Sequence, residues 1–250
     1  MSELALTHDA FLGGRLTLAQ PKTGYRAATD PVLLAAAIPA KRGDRVLDVG
    51  CGVGTAALCL VTRVEVQLTG LEQIPEYADL ARQNASSNGF NMDVVEGDIF
   101  DMPDPLRMLE FDHVLTNPPF FDQGKGSDPN SALKTNAHVL SASLTEWIEA
   151  SLRRVRSGGT FTVIMRAEKL DEILSAMRDK CGAINVLPIA ARQGAAAKRV
   201  IAQGTKARLS QMKLLAPFVM HQGDQHVQDG DSYSVEAKGI LRDGKALSLS

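Results

Sequence analysis

Cysteine is scarce in this 250-residue chain. Cys51, Cys59 and Cys181 form neither a CxxC pair nor an even set, which disfavours both a disulfide framework and a thiolate metal site. The five histidines, His8, His113, His138, His221 and His226, include no helical i, i+4 pair with a carboxylate. The zinc hydrolase pattern is therefore missing and no metal is expected. No apolar run approaches the roughly 18 residues of a membrane span. The opening "MSELALTHDAF" has an acid where a signal peptide would have bases, so a cytoplasmic location without membrane contact is expected. A general excess of basic charge is also lacking, since the net charge is -2. One local absence points the other way. From Lys180 to Gly223 there is no Asp or Glu, while Lys180, Arg192, Lys198, Arg199, Lys206, Arg208 and Lys213 contribute +7 and leave -9 on the remainder. Such a one-sided segment is the footprint of a surface lying along a phosphate backbone, or else a solvated face whose counter-charges come from elsewhere in the fold.

What the chain does have is a regular alternation of elements. "RVLDVG" (45–50), "VEVQLTGLE" (64–72), "DVVEGD" (93–98), "FDHVLTN" (111–117) and "GGTFTVIM" (158–165) read as strands. Between them lie helical patterns at about 55–61, at 75–89 with Pro75 at its start and Asn-Gly at its end, and at 143–155 with Ser143 as cap. A further helix is expected from Ala167 to Gly182. Strands separated by helices predict an α/β fold, a mostly parallel sheet with helices on both faces. Beyond Gly182, "INVLPIAA", "KRVIAQGTKA" and "SYSVEAKGILRD" read as strands that close the sheet with an antiparallel edge, the last as part of a final hairpin. Residues 1–42 are expected to form a small cap, a hairpin around Gly13 and Gly14 followed by a helix with Asp30 at its N-cap and Pro31 at N1. Residues 43–250 then make the main domain.

Two strand ends carry candidate chemistry. "VLDVGCGVGT" places Asp48, Gly50, Gly52 and Gly54 at the first strand-to-helix turn, where the backbone must turn tightly and approach a ligand. A dinucleotide fingerprint would want a third glycine at 55, which is Thr55 here. Glu72, 22 residues after Gly50, closes the second strand where a carboxylate can accept both hydroxyls of a ribose. Asp98 ends the third, where it could take the amino group of an adenine with Ile99 against the ring. The other strand end is "TNPPFF" (116–121), whose two prolines stop the strand and stiffen the chain beyond it.

Taken together, "DVGCGVG", Glu72, "GD" at 97–98 and "NPPF" resemble class I S-adenosylmethionine-dependent methyltransferases. The resemblance implies a Rossmann-like, seven-stranded, mostly parallel sheet and S-adenosyl-L-methionine as cofactor. It implies cofactor contacts from Asp48, Gly50, Cys51, Gly52, Gly54, Glu72, Gln73, Asp98, Ile99 and Asn117. Asn117, Pro118, Pro119 and Phe120 correspond to the amino-methyltransferase motif, which implies methylation of nitrogen on adenine, guanine, cytosine or glutamine. The chemistry suits these residues. An exocyclic amino lone pair is delocalised and poorly nucleophilic, and two neutral acceptors, the Asn117 side chain and the Pro118 carbonyl, can bind its hydrogens and favour pyramidalisation. Phe120 can stack on the flat acceptor and align it. The segment "LGGRLTLAQPKTGYRAATDPVLLAAA" further resembles the opening of the bacterial tRNA1(Val) adenine-N6 methyltransferases. That resemblance adds Tyr25, Arg26, Thr29 and Asp30 as pocket candidates and RNA, specifically tRNA, as the partner. The loop 121–135 lacks apolar periodicity and is a candidate lid.

Overall fold

The structure, a computed structural model, describes residues 5–24, 26–119, 143–223 and 232–249. An antiparallel hairpin of β1 (Leu6–Phe11) and β2 (Leu16–Pro21) opens the chain, with Leu16 and Leu18 fully buried on one face of β2. Helix α1 (Thr29–Ala37) is buried at every position from Pro31 onward. Being apolar all round, it is enclosed rather than laid on a surface. Residues of the hairpin and α1 share one core with Val46, Leu58, Leu115, Ile164 and Ile201.

The main sheet places β5 (Asp93–Glu96), β4 (Gln67–Glu72), β3 (Arg45–Val49), β6 (Phe111–Thr116), β7 (Val155–Arg166), β9 (Ala197–Lys206) and β8 (Cys181–Ala190) side by side. The first five are parallel and β9 runs antiparallel to both neighbours. These are the expected seven strands. Two-residue strands β10 (Lys213–Leu214) and β11 (Phe218–Val219) add parallel pairing to the outer edge of β8. Side chains alternate between two cores with the period of two that a strand imposes: Ile164 faces the α1 side, while Phe161, Val163 and Met165 face the other. The first core is covered by α1, α2 (Thr55–Val61) and α6 (Val235–Leu241), the second by α4 (Leu144–Leu152) and α5 (Leu170–Met177). Helix α3 (Pro75–Ser87) packs between β2 and β5. The predicted cap of α4 is present: Ser143 Oγ accepts from Glu146 N and Glu146 Oε2 accepts from Ser143 N.

Three local expectations are corrected. The helix expected to reach Gly182 stops at Met177, and β8 begins at Cys181. Gly182 serves the strand, since a Cβ there would meet the Arg208 carbonyl oxygen at 2.0 Å. "SYSVEAKGILRD" contains helix α6 where a strand was expected: Ser234 Oγ accepts from Ala237 N at 3.1 Å, and Ala237 and Ile240 bury one face. Antiparallel pairing is confined to the residues before the helix, where Tyr233 bridges His221 and Gln222 N donates to the Ser232 carbonyl. The cap and the i, i+3 apolar pair outweigh the strand propensity of Val235, while Tyr233, ahead of the cap, keeps an antiparallel bridge. Finally, α1 starts at Thr29 with Ala28 as N-cap and no side-chain capping bond. The Asp30 carboxylate instead accepts from Arg199 Nε at 2.8 Å.

Candidate active site

The turn after β3 is built by three left-handed glycines, Gly50, Gly52 and Gly54, at φ 69°, 56° and 86°. L side chains are strained there. Space matters as well at Gly50, where a Cβ would sit 3.0 Å from the Trp147 ring, whereas at Gly52 it would meet nothing within 4 Å. The backbone of Gly52 therefore faces open space. Gly50 N and Cys51 N both donate to the Leu71 carbonyl. Glu72, at the end of β4, holds the turn from the side: its Oε2 accepts from Gly52 N at 2.8 Å and its Oε1 from Ile74 N at 2.9 Å. Burial pushes the Glu72 carboxyl above its ordinary range, against the pull of those two N–H groups. Asp48 is 3% exposed and accepts from Ala57 N at 3.2 Å. Burial raises it to about 7, the Ala57 N–H opposes this, and the Glu72 charge adds to it.

This turn forms one wall of a solvent-open cleft of about 450 Å³, whose lining includes the predicted Asp48, Gly50, Cys51, Gly52 and Asn117. Asn117 directly follows β6, half-buried between buried Thr116 and buried Pro118, and Pro119 is exposed. Gly54 lies behind the wall, its N–H bonded to the Cys51 carbonyl. Asp98 accepts from Phe100 N at 2.9 Å and is 3.5 Å from Gln73 Nε2. The Ile99 side chain is buried in the second core. Thr29 and Asp30 are not among the lining residues, and Asp30 is engaged by Arg199. Tyr25, Phe120 and the loop 121–135 lie outside the described residues.

The cleft also uses residues that motif reading did not find. Gln20, Ala27, Pro31, Thr55 and Tyr77 line it as well, together with Val53 and Ala56 of the turn and helix start. The Thr55 hydroxyl is buried with no hydrogen-bond partner among the described residues, so it is available to a ligand. Gln20, 1% exposed, accepts from Ala27 N at 2.8 Å and donates to Asp9 Oδ2 at 2.9 Å, which ties the segment after the hairpin back onto it. Asp9 also receives Arg26 Nη2 at 2.7 Å. The signal in the sequence was position: Gln20 falls at the same period-two face of β2 as Leu16 and Leu18, which are apolar.

The hairpin is pinned to the glycine turn by Asn84 on α3. Its Oδ1 accepts from Ala19 N at 2.8 Å, and its Nδ2 donates to Ala19 O at 3.1 Å and to Val53 O at 3.0 Å. One turn along the helix, Asn88 repeats the pairing with Thr17 N and O. The two amides thus replace a neighbouring strand along the free edge of β2. Asn84→Ala leaves these backbone groups unpaired and is expected to cost roughly 2–4 kcal/mol, seen as a Tm lower by roughly 5–15 °C. An unchanged Tm in calorimetry would refute the clamp.

The acid-free segment is divided by the fold. Lys180 pairs with Glu149 and Arg199 with Asp30, Arg192 donates to the carbonyls of Gln222 and Gly223, and Lys206 donates to that of Val155. Lys198, Arg208 and Lys213 are exposed and have no ion partner among the described residues. Because β9 is antiparallel, Lys198 stands at the cleft end of the sheet and Arg208 beyond the opposite end, while Lys213 pairs with Asn185 midway along the outer edge of β8. Among the described residues no group of three or more His, Cys, Asp or Glu is placed to hold a metal ion, and no helix is long and apolar enough to cross a membrane.

The sequence profile of the methyltransferase small domain family matches residues 28–192, more than half of the chain and all of the cleft's turn and strand ends. The chain belongs to the methyltransferase small domain family. Two curated relatives of this family member are named tRNA1(Val) (adenine(37)-N6)-methyltransferase. The one from Actinobacillus pleuropneumoniae is 26% identical over 74% of this chain and 78% of its own length. The one from Bacteroides fragilis is 26% identical over 86% and 92%. Among solved structures, a predicted O-methyltransferase from Agrobacterium tumefaciens superposes with a TM-score of 0.69 at 23% identity, over 88% of this chain and 98% of that one. A T. thermophilus 16S rRNA N2 G1207 methyltransferase in complex with AdoMet and guanosine gives 0.57 at 17% identity, over 82% and 51%. These likenesses establish the class I S-adenosylmethionine-dependent methyltransferase fold that the motif order implied.

Proposed function

We propose that this protein transfers a methyl group from S-adenosylmethionine to the N6 amino group of an adenine in tRNA. The observation that carries the reading is the placement of Asn117, directly after β6, on the wall of the same cleft as the Gly50–Gly52 turn. The donor is S-adenosylmethionine, and the cleft suits it. Gly52 brings bare backbone to the wall, and the Thr55 hydroxyl has no partner among the described residues. Asp48, Glu72 and Thr55 are the groups that would hold it, with Gln73 and Asp98 on the adenine side. Bound, it supplies an electrophilic methyl carbon on a sulfonium sulfur.

The protein's own part is orientation. The Asn117 side-chain oxygen and the Pro118 carbonyl accept the two amino hydrogens, so that the nitrogen lone pair turns toward the cleft as attack begins. A neutral acceptor is the right choice, since an aromatic amine is too weakly acidic to be deprotonated first. Phe120 stacks on the base, and the proton leaves after transfer, when the nitrogen is acidic. The names of the relatives support adenine and tRNA. Lys198, exposed at the cleft end, suits a phosphate contact that orients RNA without reading its sequence.

The test offers methyl-labelled donor with unmodified tRNA, ribosomal RNA and release factor in separate reactions, followed by nucleoside digestion and mass analysis. N6-methyladenosine from the tRNA reaction is expected. N2-methylguanosine in ribosomal RNA, or label in protein alone, would replace the acceptor assignment. Donor binding without transfer to any substrate would point to a non-catalytic donor-binding module.

A further inference from the structure

We infer that Trp147, on α4, is a positioning residue that sets the donor-side turn and the acceptor motif at a fixed separation. This inference rests on the methyl-transfer reading above. Trp147 belongs to the second core and is 6% exposed, which any large apolar residue at that place on the helix would satisfy. Its polar atom makes the difference. A buried indole N–H needs an acceptor, and here Nε1 donates at 3.0 Å to the hydroxyl of Thr116, the residue immediately before Asn117. That hydroxyl in turn donates at 2.8 Å to the carbonyl of Val49, the residue immediately before Gly50. One hydrogen-bonded chain therefore joins α4 to the last residue of β6 and the last residue of β3, each a single peptide away from a cleft residue.

The ring adds two contacts to the same elements. A Cβ on Gly50 would lie 3.0 Å from Cζ2 and 3.3 Å from Cη2 of Trp147, so the indole supports the turn from beneath. Phe100 packs edge-on against it with ring centroids 6.2 Å apart, and Phe100 N is the donor that holds the Asp98 carboxylate. Trp147 thus touches the loops after β3 and β5 and the last residue of β6 together. Thr116 and Val49 are already register partners in the sheet, so the hydroxyl bridge is not needed to pair the strands. What it adds is a constraint on how the two chains leave the sheet. For a reaction carried by proximity, a misplacement of about 1 Å is enough to lose roughly 100-fold in rate.

Two substitutions separate this role from packing. Trp147→Phe keeps an aromatic ring in the core but removes the N–H, and Thr116→Val keeps the volume but removes the hydroxyl. Both are expected to lower kcat roughly 10- to 100-fold while donor affinity, measured by equilibrium dialysis, stays within about threefold. The double variant should match the worse single one, because both break the same chain. Thr116→Ser should retain the parent rate. Trp147 is the single tryptophan of the chain, which supplies a readout independent of turnover: its emission should change as the donor titrates into the parent protein. Parent-like kcat in both single variants would overturn the inference. So would a kcat loss matched by an equal loss of donor affinity, additive losses in the double variant, or donor binding without any change in emission. Absence of donor binding in the dialysis would instead remove the methyl-transfer reading beneath it.

Discussion

Asn117→Ala is expected to lower the rate of methyl transfer by roughly 100- to 1000-fold, the loss typical for removal of one oriented polar group at a reacting centre, with donor affinity nearly unchanged. The side chain sits at the end of a strand whose last residue, Thr116, is fully buried, and ahead of two prolines that restrict the backbone. Alanine can follow the same backbone path, so the substitution removes the acceptor and little else. The effect should fall on kcat, because the amino hydrogens gain from a second acceptor only as the nitrogen pyramidalises. Asn117→Asp should retain part of the activity, since a carboxylate also accepts. Single-turnover rates together with donor titrations decide the matter. If affinity for the donor falls as far as the rate, Asn117 acts on the donor side and the acceptor role is lost.

The second large effect concerns Asp48. Its carboxyl is held at about 7 against an ordinary 3.8, chiefly by burial. The folded chain therefore binds this proton more tightly than the unfolded chain does. Stability from this group is greatest at pH below about 4, falls as pH rises toward 7, and is level above. The cost of ionising it in the fold is at most on the order of 4 kcal/mol. Asp48→Asn, which can still accept from Ala57 N, is expected to raise Tm at pH 8 and to leave it near the parent value at pH 4. Donor binding should respond in the opposite sense. S-adenosylmethionine is cationic at its sulfonium and its amino group, so it favours the ionised carboxylate and lowers its pKa on binding. Parent affinity should rise between pH 6 and pH 8, by up to tenfold per unit below 7, with release of a proton. The Asp48→Asn variant should bind the donor roughly 10- to 100-fold more weakly at pH 8 and lose most of the slope. A variant that keeps the parent's slope would refute the linkage to Asp48.

The parts of the site legible in the sequence are those encoded within a few residues. The three glycines of the turn, the stop imposed by Pro118 and Pro119, and the Ser143 cap are local devices, and each stands where its residues placed it. The alternation of strands and helices was legible for the same reason, because burial on one or both faces imposes its period on nearby positions. The misreadings arose where two local signals competed. At the C-terminal end, the β-branched and aromatic character of "SYSV" argued for a strand while Ser234 and Ala237 supported a helix start, and the buried positions Ala237 and Ile240 settled it.

The rest depends on residues far apart in the chain. Asp30 looks like a cap in isolation, but Arg199, 169 positions away, is brought to it across the sheet. Asn84 reads as an ordinary helix residue until β2 lies beside α3 and presents an unpaired edge. The charge of residues 180–223 is continuous in sequence, yet the antiparallel return of β9 sends Lys198 to one end of the strands and leaves Arg208 at the other. Trp147 is one more apolar position on α4 by periodicity, and becomes a link between Gly50 and Asn117 only because β3 and β6 are neighbours. The sequence by itself determined the order of the elements, the chemistry of the turn and the acceptor motif, because periodicity, glycine conformation and proline stiffness act over a few bonds. Only the tertiary structure decided which buried polar groups complete the cleft and what each of them holds. A hydrogen bond is selected by its partner's position, and those partners meet only once the sheet has formed.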